Sequence, residues 1–142
     1  MKPVVDVVAG VIRRADGKIL LSLRLDNVDQ GGLWEFPGGK REASESRIEA
    51  LRRELKEELD ITIQGAIPLL RLSHEYPTKI VDLDVWEVLQ WEGSELGREG
   101  QRIEWVKITD LHEYEFPAAN KNVVGAAQLP RVLVTMPKST SD

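Results

Sequence analysis

The chain has 142 residues, 42% hydrophobic and 30% charged, the makeup of one soluble globular domain with a single sizeable core. A formal net charge of −5 and a pI near 5.2 exclude a general electrostatic footprint for duplex nucleic acid or an anionic membrane, so an anionic ligand would need local cations or a metal. The absence of cysteine excludes disulfides, thiolate zinc sites and a cysteine nucleophile, and the short apolar run at the start is unlike a secretory signal, which predicts a cytoplasmic protein.

Residues 4–12, rich in Val and Ile and broken by Asp6, and residues 19–25 read as strands; Asp16-Gly17 between them predicts a hairpin. Gly31-Gly32 and Pro37-Gly38-Gly39 bracket a short extended piece, Leu33-Trp34-Glu35-Phe36. Residues 44–59 are the best helix: Ile48, Leu51, Leu55 and Leu59 fall in one narrow stripe, and the other faces are almost entirely charged. Short strands are expected at 61–63 and 67–72, and a longer one at 80–89 with Val81, Leu83 and Val85 opposite Asp82 and Asp84. Residues 92–102 read as a surface loop by their Gly and charge, residues 105–108 as a strand, and residues 117–129 as a second helix ended by Pro130. Without a repeat or a second domain, this predicts an α+β protein, a mixed β-sheet flanked by helices in an α/β/α sandwich, over residues 1–130 with a frayed tail at 131–142.

On the long helix Glu54, Glu57 and Glu58 stand at i, i+3 and i+4, on neighbouring positions away from the leucine stripe. Like charges so placed repel by a few tenths of a kcal/mol per exposed pair, roughly. A solvated acidic face is the plainer reading of the carboxylates alone. The alternative is a hard divalent cation such as Mg²⁺, which takes oxygen ligands and combines a few carboxylates with waters and phosphate oxygens. Gly38 and Gly39 just upstream let the main chain approach a ligand closely.

Together, Gly39, Glu45, Arg53-Glu54-Leu55, Glu57-Glu58 and Ile61 are spaced as in the Nudix box: Gly, five residues, Glu, seven residues, Arg-Glu-apolar, one residue, Glu-Glu, one residue, Gly, apolar. The departure is Asp60, where the family has Gly to end the helix in a left-handed turn; Asp tolerates that conformation better than most residues. The chain therefore resembles the Nudix hydrolases. The resemblance implies a loop-helix-loop in which Glu54, Glu57 and Glu58, with a carbonyl at Gly38 or Gly39, bind Mg²⁺ or its substitute Mn²⁺. It implies a structural task for Glu45 and Arg53, a pair tying the helix to its leading loop.

Further stretches, Leu33-Trp34-Glu35-Phe36-Pro37-Gly38-Gly39-Lys40, Gly97-Arg98-Glu99-Gly100-Gln101, Glu104-Trp105 and Phe116-Pro117-Ala118-Ala119-Asn120, are similar to the MutT branch of that family, the 8-oxo-dGTP diphosphatases. That resemblance makes Asn120 the residue that hydrogen-bonds the oxidised purine, its amide supplying a donor and an acceptor; a helix N-cap is the alternative. It makes Arg24 a substrate contact whose fork can grip phosphate, the alternative being a plain strand-end Arg. Glu35, Phe36, Pro37 and Gly38 would line the pocket, and Lys79 would assist as a cation. Glu99 would reach the metal cluster and orient the attacking water, or be a solvated loop acid. Asp29 occupies a place that holds His in the best-known member of the branch, where a sugar or phosphate contact would fall.

The implied reaction is water attack at the β-phosphorus, without a covalent intermediate, giving 8-oxo-dGMP and pyrophosphate and so clearing oxidised guanine from the nucleotide pool. The expected partner is a small nucleoside triphosphate, with neither duplex nucleic acid nor membrane, acting on a monomer or weak homodimer. Two rivals stand beside it: a Nudix enzyme for CTP, a dinucleoside polyphosphate or a nucleotide sugar, and a non-catalytic nucleotide-sensing module. The full carboxylate set weighs against the module.

Overall fold

A strand apolar at nearly every position needs cover on both faces, and residues 8–12 receive it in full. The structure, a computed structural model, describes residues 1–24, 32–93 and 101–128. In chain order its elements are β1 (Val4–Ile12), β2 (Ile19–Leu23), β3 (Trp34–Glu35), β4 (Gly38–Lys40), α1 (Arg47–Leu59), β5 (Ile61–Glu75), β6 (Ile80–Gly93), β7 (Ile103–Val106), a 3-10 turn at Ile108–Glu113, and α2 (Ala118–Ala127). One sheet has the order β4-β1-β6-β5, with β1 and β6 parallel and the other pairs antiparallel; a second, antiparallel sheet has the order β3-β2-β7.

Successive side chains leave opposite faces of a strand. From β1, Val8 and Ile12 enter one core with Leu20, Val88 and the α1 residues Ala50, Leu51, Leu55 and Leu59. Ala9 and Val11 enter the other core with Leu21, Leu83, Val85 and the α2 residues Ala119, Val123 and Ala127. The strands thus lie between two helices, the sandwich with a mixed sheet that the sequence predicts. Among the described residues no helix is long and apolar enough to cross a membrane.

Boundaries differ from expectation for local reasons. The turn before β2 forms, with Gly17 at φ 88° and the Arg14 N–H donating to the Lys18 carbonyl at 2.9 Å, but β1 and β2 then part into different sheets. The two short strands expected at 61–63 and 67–72 are one strand, β5; its pairing with β6 is irregular around Gly65 and Pro68, which bend it without ending it. β6 runs on through Gly93, so the expected loop begins later, and residues 94–100 of it lie outside the described residues. β7 starts at Ile103 and ends at Val106, earlier than 105–108. α2 spans Ala118–Ala127, shorter than 117–129.

α1 begins at Arg47, not at residue 44, because Ser46 and Glu49 form a capping box. The Ser46 hydroxyl accepts from the Glu49 N–H at 3.2 Å and the Glu49 carboxylate accepts from the Ser46 N–H at 2.8 Å. At its other end Asp60 adopts the left-handed conformation, φ 57° and ψ 41°, and its N–H donates to the Lys56 carbonyl at 3.1 Å.

Candidate functional site

The two glycines of β4 are glycines for two different neighbours. A Cβ on Gly38 would lie 2.0 Å from the Val8 carbonyl oxygen, so close pairing with β1 forbids one. A Cβ on Gly39 would lie 2.4 Å from the Glu54 carboxylate, which rests over that backbone. Gly39 thus makes room for the Glu54 carboxylate, while Gly38 is a packing requirement of the sheet.

Arg53 organises the acidic helix. Its Nε and Nη2 donate to the two Glu45 oxygens at 2.6 and 2.9 Å, and Nη2 also donates to the Lys40 carbonyl at 3.0 Å. Its Nη1 donates to Glu54 at 3.1 Å and Glu57 at 3.4 Å, lying between the two. The guanidinium, aided by the Glu42 N–H, holds the Glu45 carboxyl down at about 2, and the carboxylates push the Arg53 pKa up in turn.

Glu58 departs from the outward position expected of it. It is 6% exposed, because it lies seven residues past Leu51, two turns of a 3.6-residue helix, and so shares the inner face. Glu54 is largely covered, and only Glu57 is well exposed. Among the described residues, no three His, Cys, Asp or Glu side chains stand converged as a finished ion cage. The donor set fits a hard divalent cation of the magnesium kind, which uses one or two carboxylates and keeps waters, better than one needing an all-protein shell. The glycine cradle under Glu54 fits that use as well.

On the other face of β1 is a cavity of about 260 Å³, and it gathers Arg24, Glu35, Phe36, Gly38, Gly39, Lys79 and Asn120. Arg24 Nη1 donates to Glu35 at 2.7 Å. The Phe36 side chain is buried and stacks on Phe116 with centroids 5.5 Å apart. Pro37 is the exception among the expected pocket residues: it is buried, does not line the cavity, and its carbonyl accepts from the Gly10 N–H at 2.8 Å. Asn120 is the third residue of α2, and Pro117 holds the N-cap position, so the capping alternative for Asn120 is removed. Glu99 and Asp29 lie outside the described residues.

Sequence reasoning missed the apolar wall of Val5, Val7, Val81 and Leu83, and it missed Tyr76. The wall is legible as the odd-numbered residues of two parallel strands, once their pairing is known. Tyr76 sits just past the end of β5, before Pro77, and its phenol oxygen accepts from the Ala119 N–H at 2.9 Å. Cavity and acidic helix meet at Gly39, which lines the one and supports Glu54 of the other.

A sequence profile of the NUDIX domain matches residues 8–126. The 8-oxo-dGTP diphosphatase of Haemophilus influenzae is 42% identical over 123 residues, 87% of this chain and 90% of that protein. The CTP pyrophosphohydrolase of Escherichia coli is 39% identical over 116 residues, 82% of this chain and 85% of that protein. Among solved structures, a MutT from work on the Aliivibrio salmonicida and Vibrio cholerae proteins aligns with a TM-score of 0.78 at 40% identity, covering 88% of this chain and 97% of that one.

Proposed function

Given that the chain belongs to the NUDIX domain family and is a pyrophosphohydrolase of the Nudix type, we propose that its substrate is 8-oxo-dGTP, split by water to 8-oxo-dGMP and pyrophosphate. The observation that carries this reading is the meeting at Gly39 of a small, largely apolar cavity containing a carboxamide and a helix bearing three glutamates. The biological consequence would be removal of oxidised guanine from the nucleotide pool before it enters DNA. Residues 1–130 would be the single catalytic domain.

The Asn120 carboxamide suits the base. Guanine presents two acceptors, N7 and O6, on its major-groove edge. The 8-oxo form carries a hydrogen on N7 and so presents a donor beside an acceptor, which one carboxamide can meet with its own acceptor and donor. Val5, Val7, Val81 and Leu83 offer an apolar surface for the ring, and Phe36 lines the same cavity. Lys79 brings positive charge to a cavity in a chain of net charge −5, and Arg24, there paired with Glu35, adds a guanidinium fork that suits a polyphosphate.

Enzymes of this type need divalent metal ions, and we assign Mg²⁺, with Mn²⁺ as a substitute, to Glu54, Glu57 and Glu58 with a carbonyl of Gly38 or Gly39. When bound, the ion supplies charge neutralisation at the phosphate oxygens and a more acidic water. Arg53, pinned by Glu45 and the Lys40 carbonyl, holds Glu54 and Glu57 to one side of the helix. One of the glutamates takes the water's proton, and Glu99 would orient that water.

A CTP-directed enzyme is the second reading, favoured by the likeness to the Escherichia coli CTP pyrophosphohydrolase. Steady-state kinetics with Mg²⁺ on 8-oxo-dGTP, dGTP and CTP, with products identified, separates the two. The expected result is the highest kcat/KM for 8-oxo-dGTP with monophosphate and pyrophosphate released. A preference for CTP, or release of orthophosphate, overturns the first reading.

A further inference from the structure

The helix that presents Asn120 has little of its own to hold it. α2 is ten residues long, contains Gly125 and the β-branched Val123 and Val124, and has Pro117 at its N-cap with no side-chain cap hydrogen bond. The N–H of Ala119 is one of the donors that a first turn cannot pair within the helix. Ala119 is 3% exposed, so bulk water is a poor substitute. Its acceptor comes from 43 positions away in the chain, the Tyr76 phenol oxygen at 2.9 Å.

Tyr76 is itself held at the turn between β5 and β6. Its N–H donates to the Lys79 carbonyl at 2.7 Å, and its ring meets His74 edge-on at 4.7 Å. The far end of α2 is tied in the same manner, Arg13 Nη2 donating to the Ala127 carbonyl at 3.0 Å. The helix is therefore gripped at both ends by side chains that directly follow strands β5 and β1.

We infer that Tyr76 is a positioning residue: its hydroxyl replaces the missing cap of α2, fixes the first helical turn against β5, and thereby sets where the Asn120 carboxamide stands in the cavity. The inference rests on the reading that Asn120 meets the base. Tyr76 acts through α2, so its loss affects substrate binding more than the chemical step.

Tyr76→Phe keeps the ring and removes only the acceptor, and it is assayed on whichever of 8-oxo-dGTP, dGTP and CTP the wild type uses best. KM rises roughly five- to tenfold, the size of one lost buried hydrogen bond, while kcat stays within about twofold. In an Asn120→Ala background the same change adds less than about twofold to KM. Amide exchange followed by NMR gives a readout that needs no substrate: the Ala119 N–H of Tyr76→Phe exchanges faster than that of the wild type. An unchanged KM, an equal rise in both backgrounds, or unchanged Ala119 exchange overturns the inference. A preferred substrate other than 8-oxo-dGTP overturns the substrate assignment and leaves these readouts to decide the role of Tyr76.

Discussion

Gly39 has no room for a methyl group, since its Cβ would lie 2.4 Å from the Glu54 carboxylate. Gly39→Ala should push that carboxylate off the backbone and lower kcat/KM on the order of a hundredfold, the usual cost of misplacing a catalytic group by about 1 Å. Circular dichroism should show the fold retained, and activity near wild type would mean that the seat of Glu54 does not matter. Glu58 makes a complementary case. Glu58 is buried, and Glu58→Gln keeps its volume while removing the charge and turning one acceptor oxygen into an amide donor. Turnover should be lost while the thermal midpoint stays close to wild type; unchanged turnover with Mg²⁺ would refute its assignment to the metal. The sequence places the three glutamates on adjacent helical positions but does not say which one turns inward. That depends on how broad a strip of α1 the strands cover, and the seven-residue step from Leu51 to Glu58 settles it only once the core is seen.

At the scale of the element, α1 and its leading loop behave as one unit because the Arg53 guanidinium joins Glu45, Glu54, Glu57 and the Lys40 carbonyl. The family spacing anticipates the pair of Glu45 and Arg53, whereas the carbonyl contact needs the strand pairing of β4 to bring Lys40 within reach. The periodicity of the apolar stripe, which sets the start at residue 44, cannot fix an end to within a turn, and it passes over the capping-box signal Ser46-Arg47-Ile48-Glu49. A pH dependence follows from the pair. Arg53 lowers the Glu45 pKa from 4.5 to about 2 in the folded state, so the unfolded chain binds the proton first as pH falls. The stabilisation is complete above the unfolded value near 4.5 and disappears as pH drops through that value toward about 2. The thermal midpoint of the wild type should therefore exceed that of Glu45→Gln at neutral pH, and the gap should close over that acidic range. A gap that is flat with pH would place the origin of any difference elsewhere than in the ionised pair.

At the scale of the molecule, two cores lie on opposite faces of shared strands, and a buried ion pair joins the end of β1 to β6. Strand alternation foretells the two faces of β1, which is apolar on both, but it cannot foretell that Arg13 and Glu87 meet, because their contact spans 74 positions and depends on the parallel register. Arg13 is 9% exposed and Glu87 4%, with Nε to carboxylate at 2.6 Å; the same guanidinium reaches the last carbonyl of α2. Two charges so far from water cost several kcal/mol each to desolvate, and their attraction roughly offsets that cost only while both are present. Glu87→Leu alone leaves Arg13 buried beside an apolar side chain and should lower unfolding stability by about 3–5 kcal/mol. Adding Arg13→Leu removes the stranded charge and should recover part of that loss, while leaving the Ala127 carbonyl without its donor. Urea denaturation of the wild type, the single variants and the double variant measures this directly, provided the slopes agree. If the single losses simply add in the double variant, Arg13 and Glu87 are uncoupled and packing alone accounts for the stability there.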